Sequence, residues 1–433
     1  MNVSTNQLRI AAMASNSPEL CFTSLHHMMD AYWLQEAFWR VRKNGAVGVD
    51  GQTWTDYAAN LTANLTNLAT RVRTGTYKAP PVRRAYIPKG DGTQTRPIGI
   101  PTLEDKVLQR AVVMLLEPIY EQDFLTCSYG FRPGCSVHRA LDEMWHQIMG
   151  MGVAWILDVD IKSYFDTLDH SQLRGFLDRR VRDGVVRRLI DKWLKAGVME
   201  EGKIHYPEEG TPQGGVISPL LSNIYLHYVL DTWFQDFVRP RMKGKAFLIR
   251  YADDFVLGFQ QEEDALRVQQ VLPKRFSRFG LTIHSEKTRR VPFQRPRNGG
   301  GTSGCGTFTF LGFLHYWSRS RKGTWVVKRK TASNRFARSL KRITTWLQKN
   351  RTQSVEDQHH GLTIRLRGVY NAWGITGNYP SLSKLRHQAE RLWLKWWNRR
   401  GGQPQSWTDF QRRILNRLPL PSPRLVHSVV ARP

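Results

Sequence analysis

Tyr251-Ala252-Asp253-Asp254 lies between Phe247-Leu248-Ile249-Arg250 and Phe255-Val256-Leu257-Gly258-Phe259, and it constrains this chain more than any other stretch. Two apolar, β-prone runs parted by a short acidic break predict a β-hairpin with the acid pair at its tip. Along a strand neighbouring side chains face opposite ways, whereas a turn lets adjacent carboxylates converge. Two anions beside so many apolar groups are costly unless a cation or a donor compensates them. A divalent metal meets that need. Asp also favours turns for its own sake, and the four residues alone do not separate these readings.

A second acidic strand is written in Ala154-Trp155-Ile156-Leu157-Asp158-Val159-Asp160-Ile161. Alternation puts Asp158 and Asp160 on one face, opposite Leu157, Val159 and Ile161. Asp166 and Asp169 follow in the turn towards the next helix, and Phe165 stands five residues beyond Asp160. One carboxylate from here, joined to the Asp253 pair, gives the oxygen set that a hard Mg²⁺ ion prefers. Two such ions, about 3.5–4 Å apart, activate a 3′-hydroxyl and stabilise a departing pyrophosphate. Between the acidic strands lies Gln213-Gly214-Gly215, where paired glycines suit close backbone approach to a ligand or a plain loop. Upstream, Val82 to Lys89 and Thr95 to Pro101 predict a hairpin turning at Gly90-Asp91-Gly92. Its Lys89 and Arg96 suit a triphosphate, and equally a solvated basic hairpin.

Charge narrows the class of partner. The chain has 433 residues with 64 Lys and Arg against 36 Asp and Glu, a net charge of +28. That points to a polyanion, most simply nucleic acid. From His315 onward there are 25 Lys and Arg against 4 Asp and Glu, so the last 119 residues carry three-quarters of the excess. Eight of the fifteen tryptophans lie there too. Residues 382–400 interleave Leu385, Leu392, Trp393, Trp396 and Trp397 with Arg386, Arg391, Lys395, Arg399 and Arg400, a basic face over an aromatic core.

Cys21, Cys127, Cys135 and Cys305 have no zinc-site spacing and suit a reducing cytoplasm. No secretory pattern opens the chain, and no apolar run approaches the ~18 residues of a membrane span. Helical periodicity predicts helices over 24–43, 57–74 and 103–120, the last ending near Pro118. Another is expected over 262–279, interrupted by Pro273. The first twenty or so residues read as a loose arm, 308–316 as a strand returning to the sheet, and the Pro-rich end as an extended segment.

These motifs occur together in a telling order. Ile87-Pro88-Lys89, Arg96 to Pro101, Tyr129-Gly130-Phe131-Arg132-Pro133-Gly134, Asp160 to Asp166, Gln213-Gly214-Gly215, Tyr251 to Asp254, Glu286-Lys287-Thr288 and Phe310-Leu311-Gly312 resemble group II intron-encoded reverse transcriptases. The resemblance covers about residues 30–433. It implies an α+β, right-hand polymerase with mixed α/β fingers, a ferredoxin-like palm sheet and an α-helical thumb. The corresponding divisions are 1–80 (N-terminal extension and start of the fingers), 81–315 (fingers and palm), 316–403 (thumb, or maturase domain) and 404–433 (basic tail). The family's metal site maps onto Asp160, Asp253 and Asp254, with the Ile161 backbone as a further ligand to two Mg²⁺ ions, or Mn²⁺ in their place. Lys89, Arg96, Phe165 (a sugar gate against ribonucleotides), Gln213 and Lys287 (a general acid for pyrophosphate) match nucleotide-binding positions. Tyr251, Ala252, Gly214 and Gly215 match primer and template positions. Arg365, Arg367, Arg386, Arg391, Lys395 and Arg399 are candidates for RNA binding.

The implied activity is RNA-directed DNA synthesis, with binding of intron RNA to assist splicing and mobility. Expected partners are an intron or other template RNA, a DNA primer or target and dNTPs, with no membrane, in a bacterial cytoplasm. Monomer and homodimer both fit. No zinc-bound endonuclease pattern follows the thumb, which resembles the compact members. Two other functions fit the same chain: a related enzyme recruited for host defence or DNA repair, and an RNA-binding splicing factor without polymerase activity.

Overall fold

A computed structural model describes residues 3–89, 94–200, 203–205, 214–297 and 301–427, with Lys89 and Gln94 described in backbone only. Gln213 and the turn at residues 90–93 lie outside the described residues. The chain divides into two compact units, residues 1–137 with 157–289 and residues 138–156 with 290–433, the second division falling inside the strand Trp155–Val159.

The first unit opens on a helix, Val3–Asn16, where a loose arm was expected. Its Val3, Ile10 and Ala14 are buried, and it packs along the helix Leu103–Asp123. That second helix runs straight through Pro118 instead of ending there. A proline lacks the N–H that would bond the carbonyl four residues back. Here the orphaned carbonyl is that of Met114, and Gln7 Nε2 donates to it at 2.9 Å. The helix survives its proline because another helix supplies the missing donor. The helix Glu262–Ser277 likewise runs through Pro273 without interruption.

The span 24–43 breaks into a short 3₁₀ turn, His26–Met28, and the helix Ala31–Trp39, capped by Asp30. The break is fixed from outside by buried Asp183. Its carboxylate accepts the N–H groups of Leu25 at 2.5 Å and His26 at 2.8 Å while capping the helix Gly184–Leu194. The expected helix over 57–74 is realised as Trp54–Ala59 and Leu61–Arg73, the second burying Leu65, Leu68 and Val72.

Two sheets position the site. In one, the strand Gln94–Ile100 pairs antiparallel with Val82–Lys89, which continues to Val198–Glu200 and Lys203–His205. In the other, Ala246–Tyr251 pairs with Asp254–Phe259, and Asp254–Phe259 lies beside the strand Trp155–Val159. The first strand of the succession therefore neighbours the third, with a helix between first and second and another after the third. This is the opening of a ferredoxin-like arrangement.

The second unit holds the helix Val137–Met151, a three-stranded sheet and a helical bundle. Residues 308–316 are not one strand. They form a hairpin, Phe308–Phe310 against Phe313–Arg319, because Leu311 (φ 50°) and Gly312 (φ 85°) both adopt left-handed backbone at its two-residue turn. The strand Trp325–Thr331 completes that sheet. The helices Ser333–Lys349, Val355–Trp373 and Tyr379–Trp397 enclose Ile343, Leu347, Leu362, Leu366, Leu382, Leu385 and Trp393.

The segment expected as an extended tail also enters that core. Trp407–Phe410 continues as a helical turn, Gln411–Leu415, and buries Phe410, Leu415 and Leu420. The Phe410 ring meets Trp393 edge to face, with centroids 5.5 Å apart. Phe410→Ala is therefore expected to cost about 3–5 kcal/mol through lost burial and a cavity. Thermal unfolding of the full chain measures this, and an unchanged transition would return these residues to the status of a tail.

Candidate active site

One cleft of about 480 Å³ gathers the acidic motifs. It is lined by Thr95, Arg96, Pro97, Asp160, Ile161, Lys162, Ser163, Tyr164, Phe165, Asp166, Asp253, His284 and Lys287. Asp160 sits just past the strand Trp155–Val159, and the next two residues, Ile161–Lys162, pair with Thr282–Ile283. That pairing carries the following turn back over the acid. His284 N–H donates to the Asp160 carbonyl at 2.8 Å, and Lys287 Nζ reaches Asp160 Oδ2 at 3.0 Å. Asp160 and Asp158 both follow the alternation, but Asp158 is turned to Arg289, 3.5 Å away. Burial pushes the Asp158 carboxyl up to about 6, against the pull of Arg289.

Phe165 belongs to the 3₁₀ turn Tyr164–Asp166. Ser163 enters that turn in left-handed conformation (φ 48°), and the buried Tyr164 hydroxyl donates to the Ser222 carbonyl at 2.8 Å. The turn is thereby held on the floor of the cleft with the Phe165 ring half-exposed.

The acidic hairpin is tighter than its sequence suggests. Tyr251 pairs with Asp254, so the two-residue tip is Ala252-Asp253, and Asp254 is the exposed first residue of the return strand. Asp160 and Asp253 share the cleft, whereas Asp254 does not line it. Burial raises the Asp253 carboxyl above its ordinary range, helped by the neighbouring Asp160 and opposed by Arg96 and Arg250. Two carboxylates and the Ile161 main chain are hard oxygen donors, and Asp160 is ion-paired with an exposed lysine amine. That donor set suits a divalent cation. Among the described residues, no three His, Cys, Asp or Glu side chains already converge as a metal cage.

A buried charge pair sets the tip. Arg250 and Asp231 are both fully buried, with Nη2 to Oδ2 at 2.5 Å and Nε to Oδ1 at 2.8 Å. Arg250 Nη1 also donates to Asn223 Oδ1 at 3.0 Å and to the Ala252 carbonyl at 3.1 Å. Burial alone would weaken the guanidinium, but the Asp231 carboxylate keeps its pKa above the ordinary value. Asn223 Nδ2 in turn donates to the Gly130 carbonyl at 2.6 Å. A Cβ on Gly130 would stand 2.3 Å from the Ala252 nitrogen, so only glycine lets this loop lie against the tip.

Cations line the cleft: Arg96 on the strand Gln94–Ile100, Lys162, and Lys287. Lys162 and His284 carry no sequence signal of their own; the Ile161–Lys162 pairing with Thr282–Ile283 brings them in. The packing around Gly214 and Gly215 is tight. Gly214 (φ 116°) is pressed on the other sheet, where a Cβ would meet the Gly99 carbonyl at 2.6 Å. Beyond Gly215, Gln109 Oε1 accepts the N–H groups of Val216 at 2.7 Å and Ile217 at 3.3 Å. Its Nε2 donates to buried Asp105, which fixes the amide orientation.

The candidate RNA contacts lie in the second unit, several with the guanidinium laid on an aromatic ring. Arg365 lies 4.1 Å from the Trp346 ring, Arg391 4.3 Å from Trp407, and Arg399 5.1 Å from Trp396. Arg386 is engaged by Glu390 at 3.1 Å, while Arg367 and Lys395 are exposed.

Removing one member of the buried pair leaves an uncompensated charge, so Arg250→Met or Asp231→Leu alone is expected to cost about 3–5 kcal/mol. The double variant should recover most of that, read from urea midpoints. Full additivity of the two losses would show that the groups are not coupled.

A family model described as reverse transcriptase (RNA-dependent DNA polymerase) matches residues 87–315. Protein YkfC of Escherichia coli (strain K12) is 38% identical over 302 residues, covering 62% of this chain and 79% of its own. Group II intron-encoded protein LtrA of Lactococcus lactis subsp. cremoris is 46% identical over 156 residues, 36% of this chain and 26% of its own. Nuclear intron maturase 2, mitochondrial, of Arabidopsis thaliana is 28% identical over 179 residues, 32% of this chain and 24% of its own. The chain thus spans most of YkfC but about a quarter of the other two. No described helix is long and apolar enough to cross a membrane. The chain belongs to the reverse transcriptase (RNA-dependent DNA polymerase) family, with the group II intron-encoded reverse transcriptases and maturases among its relatives, and it has that family's α+β fold.

Proposed function

We propose that this chain is an RNA-directed DNA polymerase that extends a DNA primer on an RNA template. One observation carries the reading: Asp160 and Asp253 share a single cleft with Phe165, Arg96 and Lys287. Asp160, Asp253 and the Ile161 main chain, with Asp254 beside them, are the residues that would hold Mg²⁺. Bound there, the metal would supply Lewis-acid activation of a 3′-hydroxyl and charge stabilisation at the phosphates.

The chain's own groups account for the rest of the reaction. Arg96 and Lys162 bind the triphosphate of a dNTP electrostatically, Lys89 extending that set from the same hairpin. Lys287 Nζ, which bonds Asp160 at 3.0 Å, is the proton donor to the leaving pyrophosphate oxygen. The Phe165 ring closes the cleft where a ribose 2′-hydroxyl would project, selecting deoxynucleotides by exclusion. Gln213 contacts the incoming nucleotide, and Gly214 and Gly215 contact the primer and template. Tyr251 and Ala252 face the primer end.

The relatives named for intron-encoded proteins and a maturase support a second role in binding intron RNA. The arginines laid on tryptophan rings in the second unit suit such a partner, since each presents a cation with its aliphatic stem already ordered.

Primer extension with dNTPs and Mg²⁺ on an RNA template tests the polymerase reading. Asp253→Ala and Asp160→Ala are each expected to lower the rate by at least roughly 10²-fold. Phe165→Val should admit ribonucleotides roughly 10- to 100-fold more readily while deoxynucleotide use persists. Full activity in Asp253→Ala, or no product from the well-folded wild type, rejects the proposal. RNA affinity, measured separately by filter binding, should fall steeply between low and moderate salt as counterions are released, and Asp253→Ala should leave it unchanged. A salt-independent affinity would argue against a phosphate-backbone interface.

A further inference from the structure

Phe131 is an anomaly. It is a bulky aromatic residue in left-handed backbone (φ 57°), and its side chain is largely in solvent, 60% exposed. Left-handed backbone is strained for any residue with a Cβ, and a phenylalanine there gains no burial in exchange. Glycine would take the same conformation freely. Folding alone gives no reason for a ring at this position.

Its surroundings give one. The strands and loops around it are pinned to the acidic hairpin: Tyr129 N–H donates to the Arg250 carbonyl at 2.9 Å, and Gly130 lies against Ala252. Arg132 closes the other side of the loop, bonding the carbonyls of Leu125 and Ser128 and pairing with Glu121 at 2.9 Å. Phe131 is thus held rigidly between two anchored neighbours, its ring centroid 6.4 Å from that of Tyr251 and inclined at 44°. The exposed Phe131 ring and the half-buried Tyr251 ring stand together beside the turn that carries Asp253.

We propose that Phe131 is a nucleic-acid-binding residue, which with Tyr251 forms an aromatic platform on which the terminal nucleotide of the primer strand packs. The occupant is a nucleotide and not a protein side chain, because the platform adjoins the turn whose Asp253 shares its cleft with Arg96, Lys162 and Lys287, cations suited to phosphates. Base stacking on exposed rings is tolerant of sequence, as a primer site requires. The inference rests on the polymerase reading for the identity of the strand, but not for the presence of the platform.

The test separates fold from function through the sign of the stability change. Phe131→Gly relieves the left-handed backbone and is expected to raise the melting temperature by about 2–4 °C. The same change should weaken binding of a fluorescent DNA primer annealed to an RNA template roughly ten-fold, measured by anisotropy without dNTPs. Phe131→Tyr should bind as the wild type does. In primer extension, KM for dNTP should be unchanged in Phe131→Gly while the primer–template concentration needed rises. Equal duplex affinity in Phe131→Gly and wild type overturns the proposal, as does failure of the wild type to bind the duplex. If the wild type binds the duplex but makes no DNA, the polymerase reading fails, and the anisotropy comparison still decides for or against the platform.

Discussion

The fully buried pair of Arg250 and Asp231 is the interaction on which the geometry of the site depends. Arg250 bonds five residues at once. Its main chain pairs with Cys127 and Tyr129, and its side chain holds Asp231, Asn223 and the carbonyl of Ala252. Taking both charges out of water is expensive, and well-packed apolar residues would often be no less stable. What an apolar pair cannot do is accept and donate in fixed directions. The guanidinium fork has a carboxylate on one edge and leaves an N–H aimed at the turn carbonyl, so it specifies where Ala252 and Asp253 stand. Specificity of placement, and not stability, is the physical case for burying these charges here.

The same geometry explains how much of the site was legible from the residues. Asp160 and Asp253 could be brought together from two acidic breaks in apolar runs, because strand alternation and turn formation are local properties. The sequence pattern puts Asp254 at the tip beside Asp253, but a one-residue choice of register decides which acid stands there. The observed register puts Tyr251 opposite Asp254. Lys162 and His284 were invisible because a two-residue strand pair, Ile161–Lys162 with Thr282–Ile283, brings them in across more than a hundred residues.

Fold-level departures share that cause. Pro118 is a helix stop when its helix is considered alone, and ceases to be one once Gln7 supplies the donor that the Met114 carbonyl lacks. The first residues looked like a loose arm for the converse reason: their helix has a weakly apolar face whose value appears only against the helix Leu103–Asp123. Phe410 and Leu420 stand among prolines and arginines that suggest an extended tail, yet both are buried in the bundle core, Phe410 against Trp393. Long-range partners supplied what local pattern omitted in each case. The strong periodicity of the bundle helices needed no such help, and Leu382, Leu385 and Trp393 are buried together as their spacing implies.

Backbone strain reports on the site independently of chemistry. Among the described residues, four non-glycine positions have left-handed backbone: Phe131, Ser163, Ala252 and Leu311. Leu311 has a structural reason, as one half of a tight hairpin turn. The other three border one place. Ser163 lines the cleft, Ala252 forms the acidic tip, and Phe131 lies beside it through Gly130. Each costs of order 1–3 kcal/mol and could be relieved by glycine, so packing alone would not gather them. They persist because the surroundings over-determine them: the Tyr164 hydroxyl on Ser222 behind Ser163, Arg250 on the Ala252 carbonyl, and Asn223 on Gly130. Asn223 and Arg250 are bonded to each other, so two of the three strained positions are held by one buried network. A turn held in this way has little freedom to relax, and its carboxylate stays where it is poorly solvated. That is the state in which an anion gains most from a cation arriving in the cleft.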